Sequence, residues 1–554
     1  MRLRNVSLLL LVFSGLFFLQ LPLSDSLPGK LDSWFYVSTY EYILGWAQAH
    51  WQGLPFGNSL YPENSHLPFG NFSVGMGLVY MLPRVMGLDV IWSFYVLTVL
   101  VYWTNALCAM LLAQYWKVGL PASVFVGFFT AYNNYTLANL DNLDGLCWGP
   151  GLFALYLLGR FLNNGKLGGI WIAAGMLGLQ LYFSSYMFLL SAMVGLFMVL
   201  FSLNNETLKK PRLLFHFIGS VFLGLLLISP FLYLYLFFPV VQEAYNPAED
   251  PAVMKFTGLH LLDLFTYLPK TVYSMVFHQA DADWYGKAHC AGVGILFPIF
   301  GLWGLFRWKK NRLFLMLLLI VFLILAIGPI FFIHNWEIPG PSYPIMEGLG
   351  LRKLFRINIR AWLPVIFLLA LGLGYMMRGL SSRYMVFVGL LVALENLPIS
   401  LPTYESKAVI ERVIRLTELP HISAKDVVLH LPSSFYSSFY EPFHSMGYKY
   451  PDVETEVLQE YSYMLHQAWT GSSTINGFVA FIPRTRMKNQ RRILSLENTL
   501  EREALISENQ ISYILIHRWT IQNQNGWGSE KYFLDAFHEM EIVQESAEFI
   551  LIRI

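Results

Sequence analysis

Acidic residues that could do chemistry lie between the apolar runs of this 554-residue chain. Asp32 comes just before a stretch rich in Trp and Tyr, and Asp141 and Asp144 share a short polar turn. A carboxylate in such a place can act as a general base, which takes a proton from an attacking hydroxyl group. It can equally cap the following helix or stabilise a turn. The sequence leaves both roles open for these catalytic candidates.

A cluster of basic residues stands before one of the last apolar runs. It consists of Arg352, Lys353, Arg356 and Arg360. Arg356 and Arg360 are four residues apart, so a helix would place both on one face. The guanidinium fork matches phosphate oxygens in bidentate geometry. We expect Arg352, Arg356 and Arg360 to bind a lipid phosphate, although Arg352 and Lys353 could instead extend towards lipid headgroups.

Two histidines flank a pair of aspartates in another polar segment. His278, Asp281, Asp283 and His289 together offer ligands that suit Mn²⁺, Mg²⁺ or Zn²⁺. An Asp-x-Asp pair is common by chance, so this segment could also be a solvated loop.

A further polar group, which includes Gln180, Ser184 and Tyr186, lies at one end of an apolar run. It could line a cavity or join helices by hydrogen bonds.

The composition identifies a polytopic helical membrane protein. Hydrophobic residues make up 55% of the chain and charged residues only 13%, about half the share of a soluble domain. The net charge of +1 gives no reason to expect a nucleic-acid partner. The three cysteines form no Cys-x-x-Cys pair, which argues against a disulfide framework.

Eleven apolar segments are long enough to predict membrane spans. The first follows Arg2 and Arg4; it resembles a signal peptide but lacks a clear cleavage site, and we interpret it as a retained helix. Residues 73–87 are apolar but contain Pro83 and Arg84, so we predict an interfacial or re-entrant helix there. The predicted spans are 5–24, 89–113, 119–137, 146–163, 168–183, 186–203, 214–240, 291–307, 313–334, 361–378 and 384–402.

Short loops on alternate sides hold most of the Lys and Arg, which predicts a cytoplasmic N-terminus and an external C-terminus. The basic cluster at 349–360 breaks this pattern, because it falls on the external side. Residues 1–404 are predicted to form the membrane domain, with outer loops at 25–88, 241–290 and 335–360. Residues 405–554 are more polar, and their alternating runs predict a mixed α/β domain outside the membrane.

Scattered features over most of the chain resemble the GT-C glycosyltransferases, and in particular the YfhO-like bacterial polytopic membrane proteins. They are Asp32-Ser-Trp-Phe-Tyr, Tyr61-Pro, Gly70-Asn-Phe, 259–269, Trp284-Tyr-Gly, Arg356 with Arg360, and 466–477. The resemblance implies a GT-C fold and a polyprenyl-phosphate sugar donor. It maps Asp32 onto the catalytic acid position and allows a second acid at Asp141 or Asp144. The Trp-Trp-Asp motif of oligosaccharyltransferases is absent.

The resemblance leads us to expect a glycosyltransferase in the bacterial inner (cytoplasmic) membrane. Its acceptor would be an external glycan, lipid or protein, and its C-terminal domain would be periplasmic or extracellular. A possible divalent metal would be the one cofactor, and membrane lipids would be further partners. The alternative is a non-catalytic lipid-binding or scaffolding protein with the same fold. A transporter fits less well, because the charged residues gather in loops outside the spans.

Overall fold

The structure is a computed structural model, and it describes most of the first 400 residues and parts of the C-terminal region. The described ranges are 3–19, 26–28, 32–48, 73–140, 142–165, 167–202, 210–237, 261–267, 278–279, 291–328, 330–333, 336–340, 358–397, 403–405, 425–431, 473–474, 498–518 and 530–554, with single positions between them such as Trp469. The structural statements below concern these residues.

Helices dominate residues 1–404. In chain order they are α1 (Leu3–Phe18), α2 (Asp32–Gln48), α3 (Val74–Val85), α4 (Val90–Tyr115), α5 (Leu120–Ala131), α6 (Asn134–Ala138), α7 (Leu143–Leu146), α8 (Gly149–Asn164), α9 (Leu167–Phe183), α10 (Ser185–Leu200), α11 (Pro211–Phe237), α12 (Leu296–Arg307), α13 (Arg312–Ile327), α14 (Trp362–Met377) and α15 (Ser382–Asn396). Short 3₁₀ helices cover Leu261–Phe265 and Asn358–Ala361.

Several of these helices suit a membrane by length, composition and exposed surface. Four helical stretches are long and apolar enough to cross one: Val90–Tyr115, Leu143–Asn164, Pro211–Tyr233 and Ile359–Met377. Six more apolar helices are shorter. Large apolar side chains are exposed along α11 and α15, including Phe215, Phe222, Phe387 and Leu390. Such continuous apolar faces would be unstable in water and suit contact with lipid.

Two predicted spans are interrupted in the structure. The predicted span 119–137 divides into α5 and α6, because the side chain of Asn133 accepts a hydrogen bond from the Thr136 backbone and starts a new helix. The predicted span 313–334 ends at Ile327, where Gly328 has a positive φ of 77°. Strands β4 (Ile330–Ile333) and β5 (Trp336–Pro339) then form an antiparallel hairpin.

The segments between the first two predicted spans also form helices. The predicted interfacial segment at 73–87 contains α3, whose 12 residues cover about 18 Å and are too short to cross the hydrocarbon. Helix α2 covers the Trp- and Tyr-rich stretch that follows Asp32. Successive α2 residues from Tyr36 to Glu41 are all buried, so α2 is enclosed by its neighbours.

Backbone contact joins α12 to α14. A Cβ atom on Gly304 would lie 1.8 Å from the carbonyl oxygen of Gly372, and one on Gly301 would lie 2.7 Å from that of Leu369. Only glycine allows the two backbones to approach so closely. This contact fixes α14, the helix that follows Arg360.

Strand pairing links the first outer loop to the C-terminal region. Strand β1 (Ser26–Pro28) pairs antiparallel with β6 (Thr403–Glu405), so the segments after α1 and α15 lie on one face. The C-terminal sheet has five strands in the order β10-β11-β9-β7-β8. These are β7 (Val427–Leu431), β8 (Ser473–Thr474), β9 (Tyr513–His517), β10 (Glu541–Glu545) and β11 (Phe549–Arg553).

The C-terminal sheet is mixed and has its own apolar core. Strand β9 pairs parallel with β7 and antiparallel with β11. Helices α16 (Thr499–Asn509) and α17 (Glu530–Ala536) contribute Leu505 and Phe533 to a core beneath this sheet. The sheet and these two helices agree with the mixed α/β composition predicted for this region.

Candidate functional site

Four separate parts of the chain bring polar side chains to one buried place. Tyr36 comes from α2, Asn142 and Asp144 from the polar turn before α8, Tyr186 from α10, and Arg360 from the 3₁₀ helix before α14. Tyr36, Asp144 and Arg360 are exposed by 1%, 1% and 4% respectively. We refer to these five residues as the Arg360 site.

Tyr36 connects the two residues of the polar turn. Its hydroxyl donates a hydrogen bond to the Oδ1 atom of Asp144. The same hydroxyl lies 3.0 Å from the Oδ1 atom of Asn142. Hydrogen bonds to a carboxylate are the stronger kind, so Tyr36 holds Asp144 in a fixed orientation. The site therefore contains a positioned carboxylate in a buried environment.

Arg360 is a buried cation that is held by one hydrogen bond and one aromatic ring. Its Nη2 atom donates to Asn142 Oδ1 at 3.0 Å, and its guanidinium carbon lies 4.0 Å from the centre of the Tyr186 ring. Asp144 is near enough to interact with it electrostatically. Its Nη1 atom is buried and has no hydrogen-bond partner among the described residues. A buried donor without a partner costs roughly 1–3 kcal/mol, and more when charged, so an anionic ligand at Nη1 would remove a penalty.

The polar turn owes its position to buried amides on neighbouring helices. Asn105 of α4 donates to the Leu146 carbonyl at 2.8 Å and accepts from the Trp148 backbone at 2.9 Å. Gln180 of α9 donates to the Cys147 carbonyl and accepts from the Gly151 backbone, both at 2.8 Å. These bonds satisfy backbone groups at the end of α7 and the start of α8 that lack partners within a helix, and they fix the segment that carries Asp144.

Gly145 allows Arg360 to approach the turn. A Cβ atom at this position would lie 2.8 Å from Asn142 Oδ1 and 3.0 Å from Arg360 Nε. These distances are shorter than normal contacts, so a larger residue would displace the guanidinium or the amide. The glycine therefore belongs to the site through its lack of a side chain.

Two of the sequence candidates meet at this site. Asp144 and Arg360 are brought together, as described above. Asp32 is the first residue of α2, one helical turn before Tyr36. Asp141, Arg352, Lys353 and Arg356 lie outside the described residues, so their roles stay predictions.

The predicted metal ligands are mostly outside the described part of the chain. Asp281, Asp283 and His289 belong to that remainder, and the backbone of His278 begins β3 (His278–Gln279), which pairs parallel with β2 (Thr266–Tyr267). Among the described residues, no group of three or more His, Cys, Asp and Glu could hold a metal ion. A metal at His278, Asp281, Asp283 and His289 stays a prediction.

Sequence reasoning missed some of the residues that complete the site. Tyr36 was part of a quoted motif, but its contact with a residue 108 positions away has no local signal. Asn142 lies in the polar turn beside Asp144, and its oxygen contacts both Tyr36 and Arg360. Tyr186 was noted as a polar residue near a span end. A buried Asn beside an Asp in a turn is the one signal that could have indicated a larger network.

A second buried network lies farther along α2. The carboxylate of Glu41 accepts hydrogen bonds from Tyr80 at 2.7 Å, from Arg84 Nε at 2.6 Å and Arg84 Nη2 at 3.2 Å, and from Trp469 Nε1 at 2.8 Å. Tyr80 and Arg84 belong to α3, whereas Trp469 comes from the C-terminal region. Glu41 is thus fully paired and ties the C-terminal region to the helix that carries Tyr36.

No protein-family model and no curated protein sequence matches this chain. Solved structures do match. The arabinofuranosyltransferase AftD from Mycobacteria matches 100% of this chain with 12% identity and a TM-score of 0.58. Two structures of a mutant of that enzyme match with a TM-score of 0.53. The archaeal oligosaccharyltransferase AglB from Archaeoglobus fulgidus, in complex with an inhibitory peptide and a dolichol-phosphate, matches 92% with 14% identity and a TM-score of 0.48.

The likeness to AftD concerns the fold. The chain spans only 39% of the length of AftD, so the activity of that larger protein does not follow for this one. The described helices share the fold of this arabinofuranosyltransferase, and the expected fold class is supported to that extent. The chain has a fold like that of AftD, with a buried carboxylate and a buried arginine whose Nη1 atom lacks a hydrogen-bond partner among the described residues.

Proposed function

We propose that this protein is a membrane glycosyltransferase that moves a sugar from a polyprenyl-phosphate donor to an external glycan, lipid or protein acceptor. The observation that carries the proposal is the buried Nη1 atom of Arg360, which lacks a partner among the described residues in a GT-C-like fold. A phosphate oxygen would complete its hydrogen bonding and neutralise its charge. The YfhO-like branch and a bacterial inner membrane remain part of this proposal.

An apolar cavity next to α10 would suit the lipid portion of such a donor. It has a volume of about 410 Å³ and is lined by α8, α9, α10 and α11. Small residues such as Ala174, Gly178 and Gly195 line it, and Phe188 of this lining is two residues from Tyr186. A hydrocarbon chain in this cavity would bury apolar surface and could place its phosphate near the Arg360 site.

The proposed reaction is a direct displacement. An acceptor hydroxyl attacks the anomeric carbon of the donor sugar, a new C–O bond forms, and the bond between that carbon and the phosphate oxygen breaks. Asp32 accepts the hydroxyl proton as general base. The polyprenyl phosphate leaves as an anion, and Arg360 stabilises its developing charge. Asp144 keeps Tyr36, and through it the start of α2, in position.

The test is sugar transfer by the purified full chain. Labelled undecaprenyl-phosphate sugars are supplied with cell-envelope acceptors, and turnover is compared for the wild type and Asp32→Asn. Loss of a general base should lower kcat by about 100-fold or more. Asp89→Asn is the matched control, because Asp89 is an exposed N-cap residue and Asn caps equally well.

Two outcomes would contradict the proposal in different ways. A folded Asp32→Asn variant with full turnover would remove Asp32 from the chemistry. Binding of undecaprenyl phosphate that depends on Arg360, with no transfer of any supplied sugar by the wild type, would instead favour the non-catalytic lipid-binding protein.

A further inference from the structure

A polar cavity lies at the far end of α14, the helix that follows Arg360. Arg360 stands just before α14 and Arg378 directly after it, and the 16 residues of α14 separate them by about 24 Å. The cavity at the Arg378 end has a volume of about 810 Å³. It is formed where α4, α10, α12 and α14 end and α13 begins. We refer to it as the basic cavity.

Five cationic side chains line the basic cavity, and none of the lining residues that the structure describes is acidic. They are Lys117, Arg307, Lys309, Lys310 and Arg378. Within the part of the chain that the structure describes, none of these five forms a salt bridge with a carboxylate. Like charges gathered around one cavity repel one another and raise the local positive potential. The cavity is therefore suited to an anion.

Aromatic rings hold part of this cluster in place. Trp308 and Tyr375 stack with ring centres 4.2 Å apart and an interplanar angle of 15°. The guanidinium carbon of Arg378 lies 4.6 Å from the Tyr375 ring centre, and its Nη1 atom donates to the Lys117 carbonyl at 3.2 Å. Trp308 is buried, so the stack is a fixed base beneath the exposed Arg378. A guanidinium held in this way loses less conformational freedom on binding a ligand than one on a freely moving side chain.

Lys117 supplies a second, independent observation. It has a φ of 62°, the left-handed conformation that usually favours glycine after a helix. A residue with a side chain is less stable in this conformation than glycine. Gly119, two residues later, also has a positive φ. The turn therefore has a glycine at one such position and a lysine at the other. A lysine in this strained conformation fits a role for its charge at the cavity.

We propose that the basic cavity binds the phosphate of an anionic phospholipid from the adjacent leaflet. Its rim is apolar as well as basic: Phe201 lines the cavity and is 47% exposed, and neighbouring Phe306 and Leu313 are 55% and 68% exposed. A ligand with both phosphate and hydrocarbon chains satisfies these two surfaces, whereas free phosphate satisfies only one. This site is separate from the Arg360 site and does not depend on the proposed transfer reaction.

The experiment is lipid retention by the purified full chain in neutral detergent, measured by native mass spectrometry. The wild type should retain phosphatidylglycerol at concentrations about tenfold lower than phosphatidylcholine. Arg378→Gln and the double variant Lys309→Gln/Lys310→Gln should each weaken phosphatidylglycerol retention about tenfold, since contacts to a charged phosphate contribute roughly that factor or more. Arg378→Lys keeps the charge and should show a smaller loss.

Arg383→Gln is the matched control, because Arg383 is an exposed arginine at the same end of the helices but outside the cavity lining. Equal losses in Arg383→Gln and Arg378→Gln would overturn the site, since the cations would then act only as general surface charge. Full displacement of phosphatidylglycerol by millimolar inorganic phosphate would overturn the lipid assignment in favour of a soluble anion. Unchanged thermal unfolding of the variants shows that a loss of retention is not a loss of fold.

Discussion

The guanidinium carbon of Arg360 lies 4.0 Å from the centre of the Tyr186 ring, and this contact holds the cation without neutralising it. Arg360 forms no salt bridge with any carboxylate in the described part of the chain, and its one side-chain hydrogen bond there goes to the neutral Asn142. A stack on an aromatic ring leaves the guanidinium edge available for a ligand. The arrangement favours an anion that can reach this edge.

Arg360→Lys should therefore weaken binding of undecaprenyl phosphate about tenfold or more. The lysine retains a positive charge but loses both the fork and the planar stack on Tyr186. Binding is measured by native mass spectrometry on the purified chain, and Arg383→Lys is the control at an exposed arginine. Equal affinity in both variants and the wild type would exclude Arg360 from phosphate binding.

Gly145→Ala should also reduce binding of undecaprenyl phosphate, although Gly145 has no side chain to contact it. The new Cβ atom would lie 3.0 Å from Arg360 Nε and would push the guanidinium out of place. Gly175→Ala in α9 is the control, because no atom lies within 4 Å of its added Cβ. An Ala at position 145 that leaves binding unchanged would show that the guanidinium position is not critical.

Tyr36→Phe tests whether Asp144 needs its hydrogen bond. The ring still fills its buried place, but the Asp144 carboxylate loses a donor, which costs about 1.5–3 kcal/mol. We expect a lower unfolding temperature, measured by intrinsic fluorescence, and reduced sugar transfer. Asp144→Asn in the Tyr36→Phe background should then add little, because the two residues act as one unit. Additive losses would contradict this coupling.

Gly304→Ala tests the contact that fixes α14. Its Cβ atom would lie 1.8 Å from the Gly372 carbonyl oxygen, so the two helices must separate. Forced separation of a packed interface costs about 1–3 kcal/mol or more, and we expect a lower unfolding temperature. Gly224→Ala in α11, where no atom lies within 4 Å, should unfold like the wild type. A stable Gly304→Ala protein would indicate that α12 and α14 can separate at little cost.

The sequence predicted the helices well where one physical signal dominates. Continuous apolar runs identified α4, α8 and α14, because burial of apolar surface in lipid or protein requires such runs. The prediction failed where a single residue interrupts an apolar run. Asn133 starts a new helix inside a predicted span, and Gly328 ends α13 before an apolar strand that hydropathy cannot distinguish from a helix.

The candidate site was predictable only in its charged members. Asp144 and Arg360 were recognised because a carboxylate and an arginine near a span end are conspicuous. Their partners were not, since Tyr36 reaches Asp144 across 108 positions and Gly145 matters through an atom that it lacks. Such relations depend on tertiary packing, which periodicity and composition do not contain.

Trp469→Phe should loosen the C-terminal region from α2. The indole Nε1 atom donates to Glu41 Oε2 at 2.8 Å, and phenylalanine keeps an aromatic ring but loses this bond to a buried carboxylate, at a cost of about 1.5–3 kcal/mol. We expect faster limited proteolysis after residue 405, and reduced sugar transfer because Glu41 and Tyr36 share α2. Trp92→Phe, at a tryptophan that is 37% exposed on α4, should behave like the wild type.

Glu41→Gln should be more harmful than Trp469→Phe. It removes the charge that Arg84 Nε contacts at 2.6 Å, and it replaces one of the two acceptor oxygens with a donor. Because Arg84 is 23% exposed, solvent screens part of the loss, but the destabilisation should still exceed that of Trp469→Phe, since the charge of a buried carboxylate is lost. Adding Trp469→Phe to Glu41→Gln should change the unfolding temperature and the proteolysis rate little further, since the shared bond is already lost. Two fully additive effects would show that Trp469 stabilises the C-terminal region through packing alone, without its bond to Glu41.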